Sequence, residues 1–252
     1  MVFLMYHELE ADGRSLCQDA PGYVRYIVRE KDFRAQMNHL KDSGGRGVDV
    51  GEALSFKPST TAITFDDGCE TDLLIAAPIL HELGFGATFY ITTGFLEKPC
   101  YLTQRQLREL SSLGFQIGCH SMTHAYLSDL GDDALRREIM DPKTQLEQLI
   151  GKPVEHFSCP GGRYNRRVIA MVQKEGYRTL ATSNSRANSA NADSFELGRV
   201  SVMRGTTLHD FNSYCQGRGL RRLRIRDSLR QAAKRVLGNT LYDRLRGGAL
   251  EK

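Results

Sequence analysis

The stretch Ala62-Ile-Thr-Phe-Asp-Asp-Gly68 decides how the rest of the chain is read. A short apolar run ends abruptly in two adjacent carboxylates and a glycine. The run suits a buried strand, and the glycine permits a sharp turn at its carboxyl end. Two carboxylates this close both ionise only where a cation or a set of hydrogen-bond donors holds them. Taken alone, the stretch also reads as a strand followed by an Asp-Gly turn. What separates the two readings lies about fifty residues downstream.

Working outward, Val2 to Tyr6 is a compact apolar run that reads as the first strand, with His7 at its end. Residues 8–29, rich in Gly, Asp and Pro, read as a loop crossing one face. Lys31 to Ser43 places Phe33, Met37 and Leu40 at helical spacing before Gly44. Further helices are expected from Asp72 to Gly84, from a Thr103/Gln106 capping box to Gly114, over Leu135–Ile150 and over Val168–Glu175. Between them, Ala87–Ile91, Gln116–Cys119, Val154–Cys159 and Tyr177–Thr182 read as strands. Leu83-Gly84-Phe85, Leu113-Gly114-Phe115 and Glu175-Gly176-Tyr177 repeat one punctuation, in which glycine takes a left-handed cap and the aromatic packs back. Regular alternation of strand and helix implies βα units around a parallel sheet, open or closed into a barrel, with chemistry at the carboxyl ends of its strands.

Composition is that of an ordinary globular protein: 252 residues, 40% hydrophobic and 25% charged. The net charge of +4 is unevenly placed. Between Arg218 and Arg246, ten Arg and Lys face only Asp227 and Asp243, so the body is mildly acidic and the tail strongly basic. Six cysteines show no CxxC pair or framework spacing. With no signal-peptide pattern and no apolar run long enough to span a bilayer, a reducing cytoplasm is expected.

The chemical groups fall at strand ends. Asp66-Asp67 follows one strand, and Cys119-His-Ser-Met-Thr-His124 follows another. Two histidines four apart can share one face of a helical turn and bind one metal. Two His and one Asp leave coordination positions open for water and substrate, the pattern of a catalytic rather than a structural site. The second Asp then accepts a proton from the attacking water.

Thr64-Phe-Asp-Asp-Gly68 together with His120-Ser-Met-Thr-His124 resembles the first two motifs of the polysaccharide deacetylases, the carbohydrate esterase family 4 or NodB-homology enzymes. Leu4-Met-Tyr-His7, Phe33-Arg-Ala-Gln-Met37 and Gly86-Ala-Thr-Phe89 extend the resemblance over most of residues 1–215. It implies a distorted (β/α)7-type barrel in a single α/β domain, a divalent metal, commonly zinc, and hydrolysis of N-acetyl groups on a sugar or polysaccharide, in glycan biosynthesis. By that similarity Asp67, His120 and His124 are the metal ligands and Asp66 the general base.

The family's third motif normally reads Arg-x-Pro-aromatic, whereas this chain has Ser158-Cys-Pro-Gly-Gly-Arg163. Pro160 and Gly162 match, Gly161 stands where the groove aromatic is expected, and a backbone N–H near Gly161 is a candidate oxyanion donor. Ser158 replaces the arginine that orients the base, so Arg163 and Arg199 are the candidates for that charge, with surface salt-bridge roles as the alternative. The general acid is expected to be His7, as in family variants that open with Tyr-His, with His209 as the alternative. Cys69, Cys119 and Cys159, each beside a motif, are expected to be packing thiols. Residues 216–252 are expected to form a basic helical extension, its stripe Leu229, Ala232, Ala233, Val236 and Leu237 packing on the parent domain or lying on an anionic membrane surface. No nucleic-acid motif accompanies the basic run. Rival activities are an O-acetyl esterase or small-amide hydrolase of the same fold, or a non-catalytic glycan-binding protein.

Overall fold

The computed structural model describes residues 1–55, 57, 59–225 and 227. In chain order its elements begin with β1 (Val2–Tyr6), β2 (Leu9–Glu10), α1 (Pro21–Val24), β3 (Val28–Arg29), α2 (Glu30–Asp42), β4 (Arg46–Val48), α3 (Val50–Ala53) and β5 (Thr60–Asp67). A π-helical turn (Asp72–Ala76) then runs into α4 (Ala77–Leu83), followed by β6 (Thr88–Ile91), α5 (Gln104–Ser112), β7 (Gln116–Cys119) and α6 (Asp132–Ile150). β8 (His156–Ser158), α7 (Arg166–Lys174), β9 (Thr179–Ala181), β10 (Val200–Ser201) and α8 (Leu208–Cys215) complete the set.

Seven strands lie in the order β10-β1-β5-β6-β7-β8-β9, with β4 beside the start of β5, and every pair in this sheet is parallel. Helices are the crossovers that parallel neighbours require. The sheet curls, and a parallel bridge from Ala181 to Leu197 nearly joins the far edge to β10. The result is a single-domain, distorted (β/α)7-type barrel. β5 is its longest strand and is buried along almost its whole length, as expected for a strand covered on both faces.

Strand alternation divides the core into two layers. Tyr6, Phe65 and Phe89 occupy adjacent rungs of β1, β5 and β6. Their rings stack at 5.2 and 5.0 Å, with Phe33 of α2 edge-on to Tyr6 and Phe65. Such pairs each add about 0.5–1.5 kcal/mol beyond the area they bury. The other layer is smaller and gathers Phe3, Val48, Ala62, Tyr90, Ala181 and Leu197. Asp66 alternates with Phe65 and therefore faces this inner layer, on the rung shared with Tyr90.

Local signals explain the element ends. The Thr103–Gln106 capping box forms, with Gln106 N–H donating to Thr103 Oγ1 and Thr103 N–H to Gln106 Oε1. Gly84, Gly114 and Gly176 all take positive φ, and the aromatics after them are buried. Three expectations are corrected. Residues 8–29 contain β2, α1 and β3 rather than only loop, and β2 and β3 form a parallel pair of their own. The segment expected as a strand over Val154–Cys159 pairs only at His156–Ser158, because Val154 N–H is taken by Glu147 Oε1 and Val154 C=O by Lys143. His120 and His124 do not share a helical turn; they sit in an irregular loop after β7.

The expected tail falls largely outside the described residues, including the whole stripe from Leu229 to Leu237. Its beginning is described: residues 220–225 are helical, Leu220 is buried in the main core and Leu223 packs against it. No helix among the described residues is long and apolar enough to cross a membrane.

Candidate active site

β5 delivers Asp66 and Asp67 to the carboxyl end of the sheet, where Asp67 leaves the strand with φ +82°. A non-glycine residue in the left-handed region costs of order 1–3 kcal/mol and persists only where its surroundings fix it. The twist turns the two carboxylates into different environments.

Asp66 is buried under Arg199. Arg199 Nη1 and Nη2 donate to Asp66 Oδ1 and Oδ2, both at 2.7 Å, a bidentate fork. The remaining guanidinium donors go to Thr64 Oγ1 (3.1 Å), Ser158 Oγ (2.7 Å) and Thr182 O (3.0 Å). All five N–H donors of the arginine are therefore satisfied. Ser158 Oγ in turn donates to Asp66 Oδ2 at 3.3 Å. Burial resists ionisation of Asp66, but the Arg199 charge, then His120, holds its carboxyl well below the usual carboxylate range. Ser158, where an arginine was expected, is short enough to leave room for a guanidinium arriving from just before β10.

Asp67 has the opposite surroundings. Its Oδ1 is buried without a hydrogen-bond partner. The His120 and His124 Nε2 atoms lie 3.5 and 3.4 Å from that oxygen. The three ligand atoms lie within 4.8 Å of one another. His120 Nδ1 meets Ser158 C=O at 2.8 Å, and since a carbonyl only accepts, Nδ1 carries the proton and Nε2 the lone pair. Burial, partly offset by Asp66, lowers the His120 pKa to about 4, so the ring is neutral near pH 7. An orphaned carboxylate oxygen facing two imidazole nitrogens fits a divalent cation in chemistry and spacing.

The loop carrying the histidines is held by a residue that the sequence reading missed. Glu138, buried in α6, accepts the N–H groups of Met122 and Thr123 (3.0 and 2.9 Å) and the Thr123 hydroxyl (2.6 Å). His124 N–H donates to Ser121 Oγ at 3.0 Å, and both Ser121 and His124 have positive φ. The available signal was a glutamate on the apolar stripe of an amphipathic helix.

A cleft of about 310 Å³ opens over these groups. His7 lines it from the end of β1, its ring tilted against Tyr26 with centroids 4.9 Å apart and its Nδ1 buried and lacking a partner. Burial lowers the His7 pKa below its ordinary value, with Asp67 and Asp66 opposing. Gly161 and Gly162 also line the cleft, in a tight turn that begins at Pro160. Gly162 has φ +62°, and a Cβ there would fall 1.7 Å from Ser183 Oγ, so the turn admits only glycine. Tyr126 stands against Gly161, where a Cβ would meet its ring at 3.3 Å. Arg163 stacks on Tyr126, its guanidinium carbon 3.5 Å from the ring centre, rather than reaching Asp66. His209 is exposed on α8 and is not part of the cleft wall. Cys119 and Cys159 are buried, and burial raises both thiols, Cys119 to about 12.

Comparison with known proteins follows this geometry. The family model for polysaccharide deacetylase matches residues 54–180, a span that holds Asp66, Asp67, both histidines and the Pro160–Gly162 turn but not His7 or Arg199. YxkH of Bacillus subtilis, whose name places it among the polysaccharide deacetylases, is 29% identical over 220 residues, covering 84% of this chain and 75% of YxkH. The peptidoglycan-N-acetylglucosamine deacetylase of Bacillus cereus is 33% identical over 123 residues, 48% of this chain and 55% of that enzyme. Among solved structures, the Streptococcus pyogenes deacetylase PplD in complex with acetate superposes with a TM-score of 0.76 at 23% identity, over 85% of this chain and 97% of that one. The match across half its length, on the segment that builds the site, shows that this chain belongs to the polysaccharide deacetylase family.

Proposed function

We propose that the cleft hydrolyses N-acetyl amides on a glycan, with a divalent cation, zinc in the first instance, held by Asp67, His120 and His124. The observation that carries this reading is the asymmetry of the two carboxylates, one fully saturated by donors and the other bare beside two imidazoles. A cation in that place supplies a positive charge that polarises the amide carbonyl and acidifies water.

The chain's own residues do the rest. Asp66 remains a carboxylate because Arg199 neutralises it, and it takes the proton of the attacking water. Arg199, anchored by Thr64, Ser158 and Thr182, fixes the orientation of Asp66 and so replaces the family's motif-three arginine. His7, which lines the same cleft, donates a proton to the departing amine. In the glycine turn, the Gly162 N–H is spent on Cys159 C=O and the Arg163 N–H on Pro160 C=O, so the oxyanion donor assigned there is the Gly161 N–H. Tyr126 supplies the aromatic wall that residue 161 lacks.

The test is acetate release from N-acetylglucosamine oligosaccharides by the purified, zinc-supplemented protein. Release that disappears in Asp66→Asn, with bound metal retained, is expected. A folded, metal-loaded protein that releases acetate from none of these oligosaccharides rejects the reading.

A further inference from the structure

The turn that carries Asp67 continues into a second cluster, built from groups that the hydrolytic site does not use. Cys69 is wholly buried, and its Sγ lies 3.2 Å from Cys17 Sγ. Both carboxylate oxygens of Glu8 accept the Cys17 N–H, at 2.9 and 3.1 Å. A carboxylate oxygen of Glu8 and the two sulfurs all lie within 4.8 Å of one another. Asp72 flanks them: its N–H donates to Cys69 C=O (3.0 Å), while Leu9 N–H, next to Glu8, donates to Thr71 Oγ1 (3.3 Å). Asp72 is wholly buried, and neither of its carboxylate oxygens has a hydrogen-bond partner. Burial first, then the charges of Cys17, Asp67 and Glu8, push its carboxyl well above the usual range. Burial likewise brings Glu8 to about 7.

We propose that Glu8, Cys17 and Cys69 form a second cation site, for a thiophilic divalent ion of the zinc class, that pins residues 8–17 to the turn carrying Asp67, with the buried Asp72 carboxyl beside it. Two thiols and one carboxylate make a sulfur-rich set, unlike the imidazole and carboxylate set in the cleft. Zinc–sulfur bonds of about 2.3 Å hold two tetrahedral sulfurs about 3.8 Å apart, so the pair opens by roughly half an ångström on binding. A Cys17–Cys69 disulfide is the competing use of the two thiols. A disulfide makes no use of the Glu8 carboxylate oxygen that converges on both sulfurs, and that convergence is the geometry that favours an ion. The ion also bears on the cleft: Tyr23, a wall residue, places its hydroxyl 3.4 Å from Cys69 Sγ.

The test uses the full-length protein, reduced and stripped of metal, titrated with Co²⁺. Only a site containing sulfur gives a thiolate-to-cobalt charge-transfer band in the near ultraviolet, and the Asp67, His120, His124 set contains none. The expected result is a band that saturates at one equivalent, persists in His124→Ala and disappears in Cys17→Ser, a substitution in a half-buried loop position. Zinc analysis should fall by one ion per chain in Cys17→Ser relative to the parent. No band in the parent, a band that survives Cys17→Ser, or a Cys17–Cys69 crosslink in the protein as purified each overturns the proposal. Because the readout is sulfur-specific and needs no turnover, it stands or falls separately from the hydrolytic reading.

Discussion

Asp66 and Asp67 are neighbours in the chain yet occupy opposite corners of one site. Asp66 sits in a saturated corner, where Arg199 and Ser158 meet both of its oxygens. Asp67 sits in a bare one, with Oδ1 buried, unbonded and flanked by two imidazoles. The difference teaches that the pair is divided by environment rather than by residue type: the saturated carboxylate is held charged and oriented, and the bare one is the carboxylate proposed to hold a cation. Environments that drive two like groups apart assign their roles.

The largest effect should come from exchanging the two substitutions. Asp67→Asn should lose the cleft metal and, with it, all measurable acetate release. Asp66→Asn should retain the metal and lose about 10²–10⁴-fold in kcat/KM, the usual contribution of a positioned base. Metal analysis beside kinetics checks the pair, and equal metal loss in both variants breaks the comparison.

Next comes the arginine. Arg199→Ala leaves a buried carboxylate uncompensated and should cost about 3–5 kcal/mol of unfolding free energy. Chemical denaturation measures it. Adding Ser158→Arg to that variant should recover part of both stability and activity, because residue 158 already contacts Asp66. No recovery would show that only the arginine from beside β10 fits the corner.

The smallest effect is on the pH profile. Asp66 must be ionised, and its depressed pKa puts the acid limb below the usual carboxylate range. His7 must be protonated, and its lowered pKa means that the donor is lost as pH rises through a value below the ordinary histidine 6.5. kcat/KM should therefore fall above that break by at most about tenfold per pH unit. His7→Ala should abolish the break, while His209→Ala, altering an exposed side chain, should leave the profile unchanged.

Much of this architecture is legible in the order of residues because its signals are local. Gly84, Gly114 and Gly176 end helices wherever they occur, and the Thr103–Gln106 box starts one. The metal-ligand candidates are legible because Asp67 and the His120/His124 pair each end a strand. What resists reading is long-range compensation. Nothing near Ser158 announces that Arg199 arrives from another part of the chain, and the sequence leaves Arg163 and Arg199 as equals. Glu138 is hidden for the same reason, since its partners lie in a loop fifteen and sixteen residues away. The geometry of the histidine loop is hidden differently: Ser121 and His124 take positive φ in a loop held both by Glu138 and by the Ser121 hydroxyl, which accepts the His124 N–H.

The position of Arg199 also divides the candidate site between two stretches of the chain. The proposed cation ligands all fall within residues 67–124, at the end of β5 and in the loop after β7, with β6 between them, so one stretch of the chain supplies all three. The base depends on a guanidinium 133 residues away, delivered as β10 docks on β1. The proposed base is therefore oriented and neutralised only where β10 is paired with β1.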